Sequence, residues 1–162
     1  MHKLVGQGNV AGTARAGIQR EYRRSVIAWL HLARTYIRLD HAHQALLAEY
    51  GLTPSQFDVL SHLAAEPGMS QTELAGRLLV TKGNVAGLID RLERSGLVER
   101  CPDPDDRRSN RLHITESGRR AFEAAAPVLE AQVAEQFEAL DDDALDELMR
   151  LLARVDRSLR RG

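Results

Sequence analysis

Apolar side chains recur every three or four positions over residues 18–50, with arginines between them, and this spacing predicts one long amphipathic helix. The preceding residues 1–17 are rich in glycine and alanine and show no such periodicity. We expect them to form a flexible tail. The apolar stripe of the helix consists of Ile18, Tyr22, Val26, Trp29, Ala33, Tyr36 or Ile37, Leu46 and Leu47.

Three segments after residue 50 carry the signals of a helix start. In LTPSQF, Thr53 is placed to cap a helix and Gln56 completes a capping box. In MSQTEL, Ser70 and Glu73 form the same box. In VTKGNV, Thr81 is the capping residue. The middle of the chain is therefore predicted to contain three further helices.

The last two of these helices, over about 70–78 and 81–95, are separated by a tight turn. The second ends at Ser95-Gly96, and its inward face is apolar. This arrangement is typical of a helix-turn-helix, whose second helix enters the major groove of DNA. An ordinary antiparallel helical hairpin gives the same pattern and remains an alternative. The inward face consists of Val85, Leu88, Ile89 and Leu92.

Beyond Gly96, apolar and polar residues alternate in LVERC and in RLHIT, which predicts two short strands joined by the loop PDPDDRRSN. Pro102 and Pro104 hold this loop extended, and Arg107 and Arg108 project from its end. Such a hairpin beside a helix-turn-helix can place arginine in the minor groove of DNA. The predicted fold is mainly α with a small β wing, a winged helix-turn-helix.

Helical spacing returns over residues 119–162 in two apolar stripes, which Asp141 to Asp143 separate. These two helices and the first one need a broad partner surface, and we therefore expect dimerisation helices at both ends of the chain. Closure of a monomeric core is the alternative. The predicted organisation is a tail over 1–17, a dimerisation helix over 18–50, a winged helix-turn-helix over 51–118 and dimerisation helices over 119–162.

Charge is uneven along the chain although the net charge is only −1. Residues 77–120 carry ten Lys and Arg against seven Asp and Glu, whereas residues 121–162 carry five against ten. Phosphate binding depends on local positive charge, and the middle is therefore the region expected to contact a polyanion. Ordinary solvated surface charge is the alternative.

The composition, with 43% apolar and 28% charged residues, predicts a soluble globular protein. No apolar run approaches the roughly 20 residues that span a bilayer, so we expect a cytoplasmic protein without membrane contact. The single cysteine, Cys101, excludes an intramolecular disulfide and a cysteine-rich zinc site. We expect no cofactor.

Three segments, LTPSQFDVLSHLA, SQTELAGRLLVTKGNVAGLIDRLERSGLVER and DPDDRRSNRLHITESGRR, resemble the winged-helix core of the MarR family of transcriptional regulators. The most specific feature is the D-x-R wing signature followed by Leu/Ile-Thr, here Asp106, Arg108, Ile114 and Thr115. The resemblance covers roughly residues 20–160. It implies a homodimer on a palindromic operator of double-stranded DNA, controlled by a small ligand or by oxidation, with repression as the usual output.

The resemblance also implies roles for single residues of the helix-turn-helix. Ser70 and Gln71 would contact DNA phosphates, at the start of the first of its two helices. Thr81, Lys82 and Asn84 would lead the recognition helix, which is the second of the two.

In the wing, the resemblance implies that Arg108 enters the minor groove and that Asp106 orients it. Arg107, which projects from the same loop, is a further candidate for DNA contact. One departure concerns the recognition helix, where many relatives carry Thr-Arg and this chain has Ala86-Gly87. Two possible contacts with DNA are therefore missing. The urate-responsive branch of the family carries an arginine at or near Gly87, and urate is therefore disfavoured as a ligand.

Five residues are candidates for a ligand site between the dimerisation and DNA-binding parts, the usual location in the family. They are Trp29, His31, Arg34 and Tyr36 on the first helix and Asp58 on the second, a combination that suits an aromatic or phenolic acid. Packing in a core or dimer is the alternative role for Trp29 and Tyr36, and plain surface exposure for His31 and Arg34.

Other kinds of function have weaker support in the sequence. Cys101 and His113 suggest a nucleophile and a base across the hairpin, but no oxyanion-hole or phosphate-loop signature accompanies them, and we expect no enzyme. His41 and His43 do not share a helix face, so we expect no metal site. Cys101 lies on a predicted strand of the wing, whereas the reactive cysteine of the peroxide sensors in the family lies near the N-terminus. A winged helix that binds a protein without sequence-specific DNA binding is the main alternative.

Overall fold

The computed structural model describes residues 10–78, 82–104 and 109–160; within these ranges it leaves out the side chains of residues 10–22 and of Lys82. The described residues form six helices and three strands, which confirms the predicted mainly α fold with a small β wing. In chain order the elements are α1 (Val10–Ala48), α2 (Pro54–Ala65), β1 (Met69–Ser70), α3 (Gln71–Arg77), α4 (Lys82–Arg94), β2 (Val98–Pro102), β3 (Asn110–Ile114), α5 (Glu116–Gln136) and α6 (Asp142–Leu159).

The first helix, α1, is longer than the apolar stripe predicts. It begins at Val10, inside the segment predicted to be a flexible tail, whereas residues 1–9 lie outside the described part. Residues 10–17 contain three alanines and one arginine, which are strong helix formers, so the helix extends through them despite two glycines and without an apolar stripe. α1 ends before Gly51, whose φ of +70° suits glycine at a helix C-terminus.

The chain divides into two compact units, Met1–Ala45 and Leu46–Gly162. The first unit contains most of α1, and the second contains the last turn of α1 and every later element. Within the described residues, no helix combines the length and the apolar character that crossing a membrane requires.

The second unit contains one antiparallel sheet, in the order β1–β3–β2. β2 and β3 pair along their whole length, which confirms the predicted hairpin. The short strand β1 was not predicted, and it places Met69 opposite Leu112 and Ser70 opposite Arg111. Two residues are too few to show an alternating pattern, which is why the sequence gives no sign of β1.

The hydrophobic core of the second unit joins α2, α3 and α4 to the sheet. The predicted inward face of α4 is confirmed, because all four of its apolar side chains are buried. Complete burial of a leucine-sized side chain contributes about 1.5–3 kcal/mol, so this face holds α4 in place. The largest fully buried side chains are Leu47, Leu60, Leu63, Leu74, Ile89, Leu92, Leu112, Val59, Val85 and Val98.

The start of α5 approaches the backbone before β2 unusually closely. The backbone N–H of Thr115 donates to the carbonyl oxygen of Leu97 at 3.1 Å, and its hydroxyl donates to the carbonyl oxygen of Gly96 at 2.7 Å. The same hydroxyl accepts the N–H of Gly118 and caps α5. A Cβ atom on Gly118 would lie only 2.1 Å from the Leu97 carbonyl oxygen, so this contact requires glycine.

The last helix, α6, begins at the predicted break, where the Asp141 side chain accepts the N–H of Ala144 at 2.9 Å. None of its side chains is buried. Met149 is 60% exposed and Leu159 is 76% exposed, and Val155 between them is also exposed. α6 therefore presents an apolar stripe that this chain leaves open to solvent.

Candidate nucleic-acid interface

The short helix α3 begins with the predicted capping box. The Ser70 hydroxyl accepts the backbone N–H of Glu73 at 3.2 Å, and the Glu73 carboxylate accepts the N–H of Ser70 at 2.7 Å. That second hydrogen bond is the main cause that lowers the pKa of Glu73 below its ordinary value. Ser70 and Gln71 are both half-buried at this helix start, where backbone N–H groups favour an anion.

The helix α4 presents a polar outer face opposite its buried one. Gly83, Asn84, Arg91 and Arg94 are exposed on it. α4 begins at Lys82, whose side chain lies outside the described residues, as does all of Thr81. The predicted cap by Thr81 and the role of Lys82 therefore remain predictions.

Arg100 on β2 fastens the second half of α4 to the hairpin. Its guanidinium donates to the Asp90 carboxylate at 2.5 Å and to the Glu93 carboxylate. Burial acts to lower the pKa of Arg100, but the hydrogen bond and charge of Asp90 and the charge of Glu93 outweigh it and raise the pKa above its ordinary value. Sequence reasoning missed this contact, although an arginine on a predicted strand directly after a helix with two acidic residues is a recognisable signal.

The loop of the wing carries the arginines predicted to reach DNA, and residues 105–108 lie outside the described part of the chain. The roles of Asp106, Arg107 and Arg108 therefore stay predictions. The base of the loop is described: the backbone N–H of Asp103 donates to the carbonyl oxygen of Ser109 at 3.1 Å. This bond extends the hairpin one step beyond its last paired strand residues.

A second arginine, Arg111 on β3, joins the base of the wing to the start of α3. Its Nε donates to the Asp103 carboxylate at 2.6 Å, and Nη1 donates to the Gly68 carbonyl oxygen at 3.2 Å. The same Nη1 lies 3.6 Å from the Glu73 carboxylate. Asp103 is only 5% exposed, so the pair is partly shielded from water. Neither Arg111 nor Asp103 was among the predicted site residues.

Between the start of α3 and the hairpin lies a cavity of about 210 Å³. Hydroxyl and amide groups line most of it, and Arg100 adds a positive charge. It is lined by Ser70, Gln71, Thr72, Arg100, Ser109, Asn110 and Leu112.

The five candidate ligand residues fall in both units. Trp29, His31, Arg34 and Tyr36 lie on α1 in the first unit, and all four are exposed. Asp58 lies on α2 in the second unit and is also exposed.

Asp58 lines a cavity of about 220 Å³ between α2 and α4. Asn84 and Arg91 of the predicted recognition helix line the same cavity. Sequence reasoning missed Arg91, because only the packing of α4 against α2 brings it near Asp58.

The described ranges of the chain contain several His, Asp and Glu side chains that could ligate a metal. In that part of the chain, no three His, Cys, Asp or Glu side chains come together in a group suited to a metal ion.

A helix-turn-helix followed by a β-hairpin defines the class of winged helix-turn-helix DNA-binding proteins. A family model described as MarR family matches residues 50–109, which span α2 to the loop of the wing. The HTH-type transcriptional regulator YkoM of Bacillus subtilis (strain 168) is 30% identical over 137 residues, covering 85% of this chain and 89% of the relative.

Two solved structures extend the comparison. The transcriptional repressor CouR bound to a 23-mer DNA duplex is 36% identical with a TM-score of 0.71, and the match covers 78% of this chain and 89% of that one. The PcaV transcriptional regulator from Streptomyces coelicolor, in complex with its natural ligand, is 30% identical with a TM-score of 0.69, and the match covers 80% of this chain and 92% of that one.

This chain belongs to the MarR family, and it is a DNA-binding transcriptional regulator. Its relatives are transcriptional regulators rather than enzymes.

Proposed function

We propose that this protein is a ligand-responsive repressor that acts as a homodimer on a palindromic operator. The observation that carries the proposal is the open apolar stripe of α6, which follows a winged helix with its own buried core. A monomer would leave that stripe in water, whereas a symmetric partner would cover it and present two recognition helices at once. The repressor CouR, which is similar to this chain, supports the direction of control.

The exposed apolar side chains of α1 support the same assembly. Trp29 is 63% exposed and Tyr36 is 66% exposed, and Val26, Ile27 and Ile37 are about half exposed. Large aromatic and aliphatic side chains in one helix stripe are typical of an interface between subunits. We therefore assign α1 and α6 to the dimer.

The DNA contacts follow from the positions of the remaining candidates. The Ser70 hydroxyl accepts a hydrogen bond within its capping box and keeps its own proton to donate to a phosphate beside Gln71. Asn84 lies at the exposed start of α4, where Thr81 and Lys82 precede it, so this group is proposed to read the major groove.

The wing completes the proposed contacts. Arg107 and Arg108 are proposed to contact DNA from the loop, with Arg108 in the minor groove and Asp106 beside it.

The first prediction is that the protein sediments as a dimer at micromolar concentration and protects two operator half-sites whose centres lie about one helical turn apart. A duplex selected from random sequences would serve as the operator, and its affinity should fall steeply as salt rises. A monomer, protection of a single half-site, or binding that salt does not weaken would contradict the proposal.

A matched pair of variants tests the interface itself. Val155→Glu places a charge on the exposed apolar stripe of α6 and is expected to give monomers with weakened operator binding. Arg154→Gln changes the net charge by the same amount next to it, on an exposed position outside the stripe, and should leave the dimer intact. Equal effects of the two variants would exclude α6 from the interface.

The second prediction is that a small aromatic carboxylate or phenol releases the protein from its operator. PcaV, which is similar to this chain, has a natural ligand, and here Asp58 shares its cavity with Asn84 of the recognition helix. A ligand at Asp58 would therefore lie against the helix proposed to read DNA. A tenfold loss of DNA affinity requires about 1.4 kcal/mol of coupling between the two sites.

The measurement is a titration of salicylate, related benzoates and urate into the operator complex. Release should weaken in Asp58→Asn, which removes a charge from the cavity beside Asn84, and it should persist in Glu49→Gln, an exposed carboxylate outside that cavity. Release that survives Asp58→Asn unchanged would place the ligand elsewhere. If none of these compounds releases the operator, the proposed ligand class is wrong.

A further inference from the structure

We propose that Arg111 is a positioning residue for DNA binding, which sets the orientation of the β2–β3 hairpin relative to α3. This inference rests on the proposed function, because it assumes that the wing contacts DNA. The observation that carries it is the set of three chain segments that one guanidinium contacts. They are the base of the wing at Asp103, the residue before β1 at Gly68, and the first turn of α3 at Glu73.

The geometry suits arginine in particular. A guanidinium is planar and presents its N–H groups in a fixed fork, so contacts with Asp103 and with the Gly68 carbonyl oxygen define one orientation of the side chain. Lysine has a single ammonium group on a flexible stem and would not fix that angle. Because Arg111 lies opposite Ser70 in the sheet, its direction is also held by the pairing of β1 with β3.

Asp103 links this contact to the wing. Its side chain is 5% exposed and holds Arg111, while its backbone N–H closes the hairpin on Ser109. The residue therefore stands where the strands end and the loop with the predicted DNA-binding arginines begins. Loss of Arg111 would take the guanidinium away from a buried carboxylate and free the base of the hairpin to change its orientation relative to α3.

The cavity between α3 and the hairpin depends on the same attachment. Ser70 and Gln71 line one side of it, and Ser109 and Asn110 line the other. Its width is set by the distance between the start of α3 and the hairpin, which Arg111 bridges. DNA phosphates and the minor groove lie at a fixed separation on the duplex, so both parts bind together only at the correct spacing.

The test is a double-mutant cycle between Arg111→Gln and Arg108→Ala, read as operator affinity across salt concentrations. Arg111→Gln alone is expected to weaken binding about tenfold, and it should change little when Arg108 is already alanine. In the Arg108→Ala background, Arg111→Gln should also leave the salt slope unchanged, that is, the slope of log affinity against log salt concentration. The reason is that Arg111 itself is proposed to contact no phosphate. Arg120→Gln is the matched control, since Arg120 is an exposed arginine that pairs with Glu116 on the surface of α5.

Other outcomes would contradict either the positioning role of Arg111 or the proposed contact between the wing and DNA. If Arg108→Ala weakens binding but Arg111→Gln causes the same loss in both backgrounds, Arg111 does not act through the wing. If adding Arg111→Gln to Arg108→Ala lowers the salt slope further, Arg111 contacts a phosphate directly and is not a positioning residue. If Arg108→Ala has no effect, the proposed wing contact itself fails and the role of Arg111 fails with it.

Two milder variants keep the test valid if Arg111→Gln folds poorly. Asp103→Asn keeps the shape of the side chain and an oxygen that accepts a hydrogen bond, and Arg111→Lys keeps the charge without the fork. Both are expected to weaken operator binding while the melting temperature stays within a few degrees. Full affinity in both variants would contradict the positioning role.

Discussion

Gly118→Ala is expected to lower the free energy of unfolding by about 3 kcal/mol or more, which is the largest loss of stability that we predict. The added Cβ would lie 2.1 Å from the Leu97 carbonyl oxygen and 3.0 Å from a side-chain carbon of Ile114. Since the nearest atom belongs to the backbone, the clash cannot be relieved by rotation of a side chain. α5 would have to move away, and the hydrogen bonds of Thr115 to Gly96 and Leu97 would weaken.

Chemical denaturation at one fixed protein concentration measures this effect, because the stability of a dimer depends on concentration. Gly76→Ala is the matched control: Gly76 is exposed within α3, and a Cβ atom there would meet nothing within 4 Å. Alanine is the better helix former, so this control is expected to stabilise the protein by about 0.5–1 kcal/mol. Equal free energies of unfolding for Gly118→Ala and the unsubstituted protein would refute the close contact.

Arg108→Ala is expected to weaken operator binding by roughly 1–3 kcal/mol for each wing that contacts DNA, and the salt slope should fall with it. The physical reason is that the narrow minor groove concentrates negative potential, which attracts an inserted guanidinium. The measurement is operator affinity by fluorescence anisotropy at several salt concentrations.

Cys101→Ser is the companion variant, and it should change operator affinity little. Cys101 is half-buried on β2, and serine has nearly the same size. If Arg108→Ala left affinity unchanged while Cys101→Ser abolished regulation, the proposed contact of Arg108 with the minor groove would be wrong, and regulation would have to act through the Cys101 thiol.

The parts of the fold that the sequence predicted are those set by local signals. The capping boxes of Thr53 with Gln56 and of Ser70 with Glu73 are confirmed, because a cap depends on residues within one helical turn. The hairpin is confirmed because alternation with a period of two extends through both of its strands.

The features that the sequence missed depend on long-range packing or on signals too short to read. The contact of Arg111 with Gly68 joins residues 43 positions apart and exists only through the register of β3 against β1. The start of α1 was missed because helix propensity without an apolar stripe leaves no periodic pattern. For Thr81 and Arg108 the assigned roles rest on the family resemblance, and they stay predictions.

The edges of the small sheet affect whether copies of the protein aggregate. An open strand edge invites pairing with other chains, yet a wing has to protrude to reach DNA. Here β1 is two residues long and passes directly into α3, while β2 carries Glu99 and Arg100 and ends at Pro102, which has no N–H to donate. Each edge is thus a poor template for a further strand, so the hairpin can project into solvent without promoting aggregation between copies.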